Sequence, residues 1–484
     1  MKLRSEVLNL LLEISKKEAV KTMYKTQHIH LIGIGGIGMS GLARILHVLG
    51  NKVSGSDIQS SDTTDELSRM GIKVFIGHSK DNIPDNVQLV VVSSAIRSDN
   101  PEIIYARSKN IPVIKRAEML SDLMRLKKYC IAVSGAHGKT TTTSLVYSVL
   151  KAAQLDPSVI IGGKVNGYNT NAYWGQGEFL VAEADESDGS FLRLFPTVVV
   201  ATNIDKEHLD HYRDISEIKE AFRSFIELIP FYGRAVICGE DKNLLEIIKG
   251  LGKNILLYGF NRDFDISADI KPNKDIKIGT RFEVFLKGSS LGEVTLNLPG
   301  KHNVLNALAA IGVGLEVGIS FEDIKKGLKS AKGVDRRFCI SHLKNGAILV
   351  DDYAHHPTEI KATIKTAREC WPDKRLVVAF EPHRYSRTKA LKDEFCKCFS
   401  GVNKLLITDI YPASEEPIEG VDARVLAKAI ELHSKNGLKI KYIERDGLIE
   451  EIERLLTPND VLLTLGAGSM GKISKELRKS LGVK

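Results

Sequence analysis

A glycine-rich turn that carries a lysine and two threonines lies about a third of the way along the chain. It follows the apolar run 130–133, precedes a helical pattern, and reads Gly135-Ala136-His137-Gly138-Lys139-Thr140-Thr141. Backbone N–H groups and the helix dipole at such a turn face an anion, a lysine neutralises terminal phosphates, and a threonine hydroxyl can hold Mg²⁺. The spacing is shorter than the full GxxxxGK[ST] loop, but it favours a nucleoside-triphosphate site over a plain turn with an exposed lysine.

A second glycine-rich turn follows the strand-like segment His28–Ile32 and opens a helix predicted over Met39–Leu49. It reads Gly33-Ile34-Gly35-Gly36-Ile37-Gly38. Asp57 follows the next strand, at about the distance where a ribose-binding acid is expected. The pattern indicates a diphosphate on a helix N-terminus, which a UDP-sugar carries as well as NAD. Because no hydride-transfer residues lie nearby, a nicotinamide oxidoreductase is the weakest candidate.

Acidic residues end a strand-like segment that follows the phosphate turn. Residues 179–183 form the strand pattern, and three further acids lie between residues 185 and 188. A carboxylate in this position usually holds the nucleotide's Mg²⁺, and Glu183 is the candidate because it is still in the strand register. The other acids either shape a solvated turn or contact the sugar-phosphate. His208 follows another strand pattern, and it is either a ligand or a structural residue.

Composition narrows the class of protein. The 484 residues are 26% charged and 43% hydrophobic, with a formal net charge of +8. Basic residues are spread along the chain without interleaved aromatics, and no apolar run reaches the roughly 18 residues that cross a bilayer. Neither nucleic acid nor a membrane is therefore predicted as a partner. Glu6 and Glu13 interrupt the N-terminal apolar stretch, which predicts a surface helix, and six scattered cysteines indicate reduced thiols in the cytoplasm.

Strand-like runs alternate with helical patterns almost throughout, which predicts α/β layers built on parallel sheets. Three sections separate, and we place the domain boundaries at residues 1–122, 123–335 and 336–484. The middle section contains an antiparallel-looking stretch, Ile276–Phe285 and Glu293–Leu298, so its sheet is predicted to be mixed. Strands of the third section are predicted at Ala347–Val350, Arg375–Phe380, Lys404–Thr408, Lys439–Ile443 and Val461–Leu465.

Eight motifs occur in order across nearly the whole chain, from His28 to Gly471. They read GIGGIGMSG, SGAHGKTTT, AEADESD, TNIDKEHLDHY, GKHNVLNALAA, GVDRRF, DDYAHHPTEI and EPHRYSRT. Together they resemble the Mur ligase family, in particular its alanine-adding branch. The resemblance implies a Rossmann-like UDP-binding domain, a central P-loop-type ATPase domain with a mixed sheet, and a C-terminal Rossmann-like domain. It also implies ATP-dependent joining of L-alanine to the carboxylate of UDP-N-acetylmuramate through an acyl phosphate, with two Mg²⁺ ions.

The resemblance assigns roles to individual residues. Lys139 and the backbone from Gly135 to Thr141 would hold the ATP phosphates. The other ATP contacts would be Asn303 to adenine, Arg337 to the transferred phosphate and Asp351 to ribose. The metal ligands would be Thr140 and Glu183 for one ion and His208 for the second. The UDP-substrate residues would be Gly33, Gly35, Gly36, Ile37, Gly38, Asp57, Ser93 and Ser94. The amino-acid and acyl pocket would comprise Tyr353, His355, Arg384 and Arg387.

One departure from the later ligases of the family supports this branch. They carry a carbamylated lysine at a set interval after the HxD segment, where this chain has Phe222, so Lys219 is not given that role. Two alternatives stay open: a murein peptide ligase that attaches a tripeptide to the same nucleotide sugar, and a nucleotide-dependent regulatory protein. The sequence is compatible with a monomer or a homodimer.

Overall fold

The computed structural model describes residues 27–165, 170–208, 211–272, 278–413, 415–434 and 438–484. It contains three α/β domains, each built around its own β-sheet. The surface helix predicted for the N-terminus lies outside the described residues. No helix in the part of the chain that the structure describes is long and apolar enough to cross a membrane.

The N-terminal domain has a parallel five-stranded sheet of order β3-β2-β1-β4-β5. Its strands are β1 (His28–Ile32), β2 (Lys52–Asp57), β3 (Lys73–Ile76), β4 (Leu89–Val92) and β5 (Val113–Lys115). Its helices are α1 (Ile37–Val48), α2 (Asp62–Arg69), α3 (Pro101–Ser108) and α4 (Arg116–Met124). Because all strands run the same way, the turns after β1, β2 and β4 meet at one edge, where open α/β sheets bind ligands.

The central domain has a ten-stranded mixed sheet of order β15-β14-β13-β12-β11-β10-β6-β9-β7-β8. Its strands are β6 (Tyr129–Ser134), β7 (Ser158–Val165), β8 (Thr170–Tyr173), β9 (Phe179–Glu183), β10 (Val198–Ala201), β11 (Arg234–Cys238), β12 (Ile255–Gly259), β13 (Ile266–Ile270), β14 (Thr280–Leu286) and β15 (Ser289–Leu296). Its helices are α5 (Lys139–Ala152), α6 (Ile215–Glu227), α7 (Lys242–Ile247), α8 (Lys301–Glu316) and α9 (Phe321–Ser330). Antiparallel pairs occur only toward the two edges of the described sheet, at β13–β14, β14–β15 and β7–β8.

The C-terminal domain has a six-stranded sheet of order β16-β17-β21-β18-β19-β20, parallel except for β16. Its strands are β16 (Cys339–His342), β17 (Ile348–Asp352), β18 (Arg375–Phe380), β19 (Lys404–Ile407), β20 (Lys439–Tyr442) and β21 (Asp460–Leu465). Its helices are α10 (Pro357–Cys370), α11 (Tyr385–Ala390), α12 (Lys392–Phe395), α13 (Ala423–His433), α14 (Leu448–Leu455) and α15 (Met470–Ser480).

The three-domain α/β fold with a mixed central sheet is confirmed, and differences from the sequence prediction concern the ends of elements. The first strand of the C-terminal domain's parallel set runs over Ile348–Asp352 instead of Ala347–Val350. The helix that follows the glycine-rich turn at Gly33 begins at Ile37, two residues before the predicted start at Met39. The antiparallel pair lies at Thr280–Leu286 and Ser289–Leu296, joined by a tight turn in which Lys287 and Gly288 have positive φ angles of 47° and 81°.

Candidate active site

The phosphate turn lies between β6 and α5 and is shaped by a glycine that no other residue could replace without strain. Gly138 precedes the helix with a φ of +85°, and a Cβ there would lie 2.6 Å from Oδ1 of Asn306. Asn306 also accepts a hydrogen bond from the Thr142 hydroxyl (3.1 Å). A left-handed backbone and a close neighbour together require glycine here. The turn is thus held against α8, which carries Asn303 and Asn306.

Lys139 is held by the turn and by a buried acid. Its Nζ donates to the carbonyl oxygen of Gly135 (2.6 Å) and lies 2.8 Å from Oε1 of Glu186, whose side chain is only 2% exposed. Burial disfavours the charged amine, but the Glu186 carboxylate outweighs it and raises the pKa of Lys139. Lys139 is therefore a fixed cation at the N-terminus of α5, the arrangement that binds phosphate.

Two groups of side chains with oxygen or nitrogen atoms that can coordinate a metal ion lie beside this lysine. The Thr140 hydroxyl donates to Oε1 of Glu183 (3.2 Å), and Oε2 of Glu183 accepts from the Gly162 N–H (2.8 Å). In the second group, Nε2 of His208 lies 3.5 Å from Glu186 and 3.7 Å from Glu207. Ligand atoms of Glu186, Glu207 and His208 lie within 4.8 Å of one another. Hydroxyl, carboxylate and imidazole donors of this kind suit a divalent cation.

A cavity of about 420 Å³ opens between the central and C-terminal domains, next to the phosphate turn. Its walls include Asn303 and His302 from α8, Arg337 from the interdomain connection, and Asp352 at the end of β17. Burial lowers the pKa of His302 to about 4, so this imidazole is neutral at physiological pH. The volume is in the range of small-molecule sites. Asn303 holds the turn before α8 by donating to the carbonyl of Pro299 (2.7 Å).

Asp351, for which the resemblance implies a ribose contact, does not line this cavity. Successive residues of a strand point to opposite faces, and Asp352 lines the cavity. Asp351 is 1% exposed and lies 3.7 Å from Arg336 and 3.4 Å from Arg478. Asp352 accepts hydrogen bonds from the N–H groups of Phe338 and Ala354, and burial raises its pKa to about 6.

Histidine and arginine side chains of the C-terminal domain form a cluster beside β17 and β18. The His355 ring lies 5.4 Å from the Tyr353 ring and 5.5 Å from the His383 ring, and Nη1 of Arg387 lies 3.1 Å from Nδ1 of His383. Burial, followed by the Arg387 charge, holds the pKa of His355 well below its ordinary value. Three of the four residues predicted for the acyl pocket, Tyr353, His355 and Arg387, therefore belong to one cluster.

The fourth residue, Arg384, has a backbone φ of +69° and its guanidinium lies 3.8 Å from Oε1 of Glu415. Its N–H donates to the carbonyl of Tyr411 (2.8 Å), whose ring stacks on His383 at 5.5 Å. A non-glycine residue with positive φ is uncommon and is often associated with a functional constraint.

Contacts across the same cavity join the central and C-terminal domains. His137, in the phosphate turn, places Nε2 3.1 Å from Oδ2 of Asp205 and Nδ1 3.3 Å from Oε1 of Glu359 in α10. The Thr358 hydroxyl also donates to Asp205 (2.8 Å). Burial opposes a charge on His137, but Asp205 and Glu359 raise its pKa to about 10. A charged imidazole therefore lies between two carboxylates at the domain interface.

The N-terminal glycine turn lies at the end of β1, with its helix packed against the central domain. Oδ2 of Asp57 accepts a hydrogen bond from the Gly35 N–H (2.8 Å), and Ser93 begins the turn after β4 at the same sheet edge. The carbonyl of Ile37 accepts from the Asn171 amide of β8. Ser94 follows Ser93 and is exposed. The predicted UDP-substrate residues thus surround one turn that faces the central domain.

Three family models match consecutive parts of the chain. The Mur ligase family, catalytic domain, matches residues 28–128, the Mur ligase middle domain matches residues 133–314, and the Mur ligase, glutamate ligase domain, matches residues 336–468. The chain belongs to the Mur ligase family.

This Mur ligase is 50% identical over 457 residues to a UDP-N-acetylmuramate–L-alanine ligase of Geobacter sp. (strain M21), covering 94% of this chain and 97% of the relative. The corresponding ligase of Trichlorobacter lovleyi is 50% identical over 460 residues, covering 94% and 99%. The solved UDP-N-acetylmuramate–alanine ligase of Thermotoga maritima has a TM-score of 0.79 and 30% identity, covering 94% and 98% of the two chains. A murein peptide ligase of Psychrobacter arcticus, at 24% identity and a TM-score of 0.71, shares the fold over 94% and 99%.

In this Mur ligase, Phe222 lies at the interval after the HxD segment where the later ligases carry a lysine. Phe222 is 1% exposed and packs its ring 5.4 Å from that of Phe191, inside the hydrophobic core. Lys219 lies on the same helix, but its Nζ pairs with Glu246 at 2.7 Å. Neither side chain joins the acidic groups around Lys139.

Sequence reasoning did not single out several residues of this Mur ligase's site. They are Asn171, Asp205, Asn306, Asp352 and Glu359. The sequence could have indicated Asn306, because it lies one helical turn after Asn303 and therefore on the same face of the helix. Glu359 had another, since it is three residues after the helix N-cap, where a glutamate closes a capping box. The others depend on contacts between domains.

Proposed function

We propose that the protein joins L-alanine to the carboxylate of UDP-N-acetylmuramate with ATP, an early step of peptidoglycan synthesis. One observation carries the chemistry: the phosphate turn lines the interdomain cavity through His137 and Gly138, and Glu359 on its C-terminal-domain wall accepts a hydrogen bond from the N–H of His355 (3.1 Å). An ATP-dependent ligation needs both sides of the cavity, because a phosphoryl group and an amine must reach one carboxylate. The identities of nucleotide sugar and amino acid rest on the likeness to the L-alanine ligases.

The proposed reaction proceeds in two steps. A carboxylate oxygen of UDP-N-acetylmuramate attacks the γ-phosphorus of ATP, the bond to the β-phosphate oxygen breaks, and ADP leaves. The L-alanine nitrogen then attacks the acyl carbon, phosphate leaves with the bonding electron pair, and the amine loses its proton. Negative charge accumulates in both steps, so cations fixed in advance, such as Lys139 and Arg337, lower the barriers.

His355 is the candidate acceptor for the amine's proton. Its Nδ1 lies 3.0 Å from the carbonyl oxygen of Tyr353, which can only accept a hydrogen bond, so Nδ1 carries the proton. The lone pair of the neutral ring is then on Nε2. Arg387 contacts His383 beside this ring, and the guanidinium groups of Arg384 and Arg387 would suit the carboxylate of a free amino acid.

The residues present fit Mg²⁺. Thr140 and Glu183 would hold one ion beside the phosphates, and His208 with Glu186 would hold a second; bound there, the cations would neutralise phosphate charge. In the N-terminal domain, Asp57 and the turn Gly33–Gly38 would hold the UDP group. Asp352 takes the ribose contact first expected of Asp351. All six cysteines are free, which fits the reducing cytoplasm.

ADP release tests the proposal directly. We expect ADP from ATP and UDP-N-acetylmuramate when L-alanine is added, and much less with each of the other amino acids. A second arm replaces L-alanine by a tripeptide that begins with L-alanine. A higher kcat/KM for the tripeptide would contradict the proposal and make the protein a murein peptide ligase. If neither L-alanine nor the tripeptide stimulated ADP release, a nucleotide-dependent regulatory role would be favoured.

A further inference from the structure

Glu359 contacts both sides of the candidate active site with a single carboxylate. Its Oε1 lies 3.3 Å from Nδ1 of His137, in the phosphate turn, and 3.7 Å from Nη1 of Arg337. Its Oε2 accepts the N–H groups of His355 (3.1 Å) and His356 (3.4 Å). One oxygen thus faces the groups assigned to ATP, and the other faces the loop that carries the amine-side histidine.

The surroundings of Glu359 keep this carboxylate ionised and fixed. Its side chain is 14% exposed, and although burial opposes the charge, the cations His137 and Arg337 help to hold the pKa of Glu359 well below its ordinary value. Its Oε2 contacts are part of a capping box at the start of α10. The conformation of the loop around His355 therefore depends on Glu359, whose other carboxylate oxygen interacts with His137 of the phosphate turn.

We propose that Glu359 is a positioning residue that couples the ATP phosphate turn, through His137, to the amine-side loop that holds His355. The proposal rests on the proposed function and deepens it. When the ATP phosphates bind to the turn, they and Oε1 of Glu359 interact with the same two cations, His137 and Arg337. The same carboxylate sets the position of His355, so both half-sites adjust together. Residues that share one network give non-additive effects in double-mutant cycles.

The experiment is a double-mutant cycle with Glu359→Gln, His137→Gln and the double variant. Glutamine keeps the length of glutamate and can close a capping box, so Glu359→Gln removes the charge and keeps the helix start. Glu369→Gln is the matched control, because Glu369 lies on the same helix and is half exposed in a 4.0 Å pair with Lys365. Tm values establish that each variant is folded.

We expect each single variant to lower kcat about tenfold or more, with the KM for UDP-N-acetylmuramate unchanged and Glu369→Gln like wild type. The double variant should be no slower than the slower single variant. Rates that multiply, or normal turnover by Glu359→Gln, would overturn the coupling. A variant that loses turnover only in proportion to a lowered Tm would also overturn it.

The cycle is run with whichever acceptor supports ADP release by the wild type. A tripeptide acceptor would then refute alanine ligation and still leave the coupling measurable. Conversely, alanine ligation with multiplicative rates would refute only the coupling. The two failures are distinguishable because the first concerns the wild type and the second concerns ratios between variants.

Discussion

The Nζ atom of Lys139 lies 2.8 Å from Oε1 of Glu186, a carboxylate that also lies 3.5 Å from Nε2 of His208. Lysine and histidine are thus connected through one buried acid. The predicted phosphate cation and the predicted second metal ligand therefore belong to a single charge network.

Lys139→Ala should abolish ligation and leave binding of UDP-N-acetylmuramate intact, because the two glycine turns lie in different domains. Loss of one fixed cation at the transferred phosphate should slow turnover by about 10³-fold or more. Steady-state ADP release and calorimetric titration of the nucleotide sugar measure the two effects. Near-normal turnover would remove the ATP site from this turn.

Gly36→Ala should raise the KM for UDP-N-acetylmuramate without disturbing the fold. Gly36 has a φ of −62°, and its added Cβ would lie 3.4 Å from the carbonyl of Gly33, an ordinary contact. A loss of affinity would therefore report the approach of the diphosphate to the backbone. Gly252→Ala, where a Cβ meets nothing within 4 Å, is the control. Unchanged KM, or tight NAD binding by the wild type, would contradict this assignment.

Asp352→Asn and Asp351→Asn should have different effects. Asp352 lines the interdomain cavity, so its variant should raise the KM for ATP at similar Tm. Asp351 is buried between Arg336 and Arg478 away from the cavity, so loss of its charge should weaken these two ion pairs and lower Tm. The reverse result would restore Asp351 as the ribose contact.

Arg384→Ala and Arg387→Ala should each lose ligation of L-alanine while ATP and UDP-N-acetylmuramate still bind. The guanidinium of Arg387 contacts His383 at 3.1 Å, and Arg384 is the N-cap residue of the same helix, α11. Initial rates at varied L-alanine measure the effect on acceptor use. Unchanged alanine kinetics in both variants would remove the acceptor pocket from this domain.

Glu102 should make the N-terminal domain sensitive to acid. It is fully buried, and despite that burial, hydrogen bonds led by His30 (3.0 Å) and Ser56 (2.7 Å) lower its pKa from 4.5 to about 2. Because the folded-state pKa is depressed, the stabilisation of about 3 kcal/mol is present above pH 4.5 and is lost as the pH falls toward 2.

Urea unfolding at several pH values measures this dependence. The Glu102→Gln variant should be less stable at pH 7 and should lose less stability than the wild type between pH 5 and pH 2. Asp85→Asn, an exposed acid of the same domain, is the control. Parallel stability curves for wild type and Glu102→Gln would show that the network does not hold the charge of Glu102.

The sequence alone determined the features that depend on local pattern. β-Branched runs predicted strands such as His28–Ile32 and Arg375–Phe380 with the ends that the structure has. The sequence places both glycine turns at strand-to-helix junctions, because the glycines and the helix N-terminus that bind a phosphate lie within a few residues of each other. The family resemblance added domain order and the kind of reaction.

Only the tertiary structure decided which side chains meet. Asp351 and Asp352 are adjacent and chemically identical, and the register of β17 in its sheet determines which one lines the cavity. Glu186 was one of several acids, and its contact with Lys139 depends on how the chain turns after β9. His137 and Glu359 lie 222 positions apart in the sequence and meet because two domains pack together. Local patterns carry no information on such contacts, since domain packing depends on side chains from the whole interface.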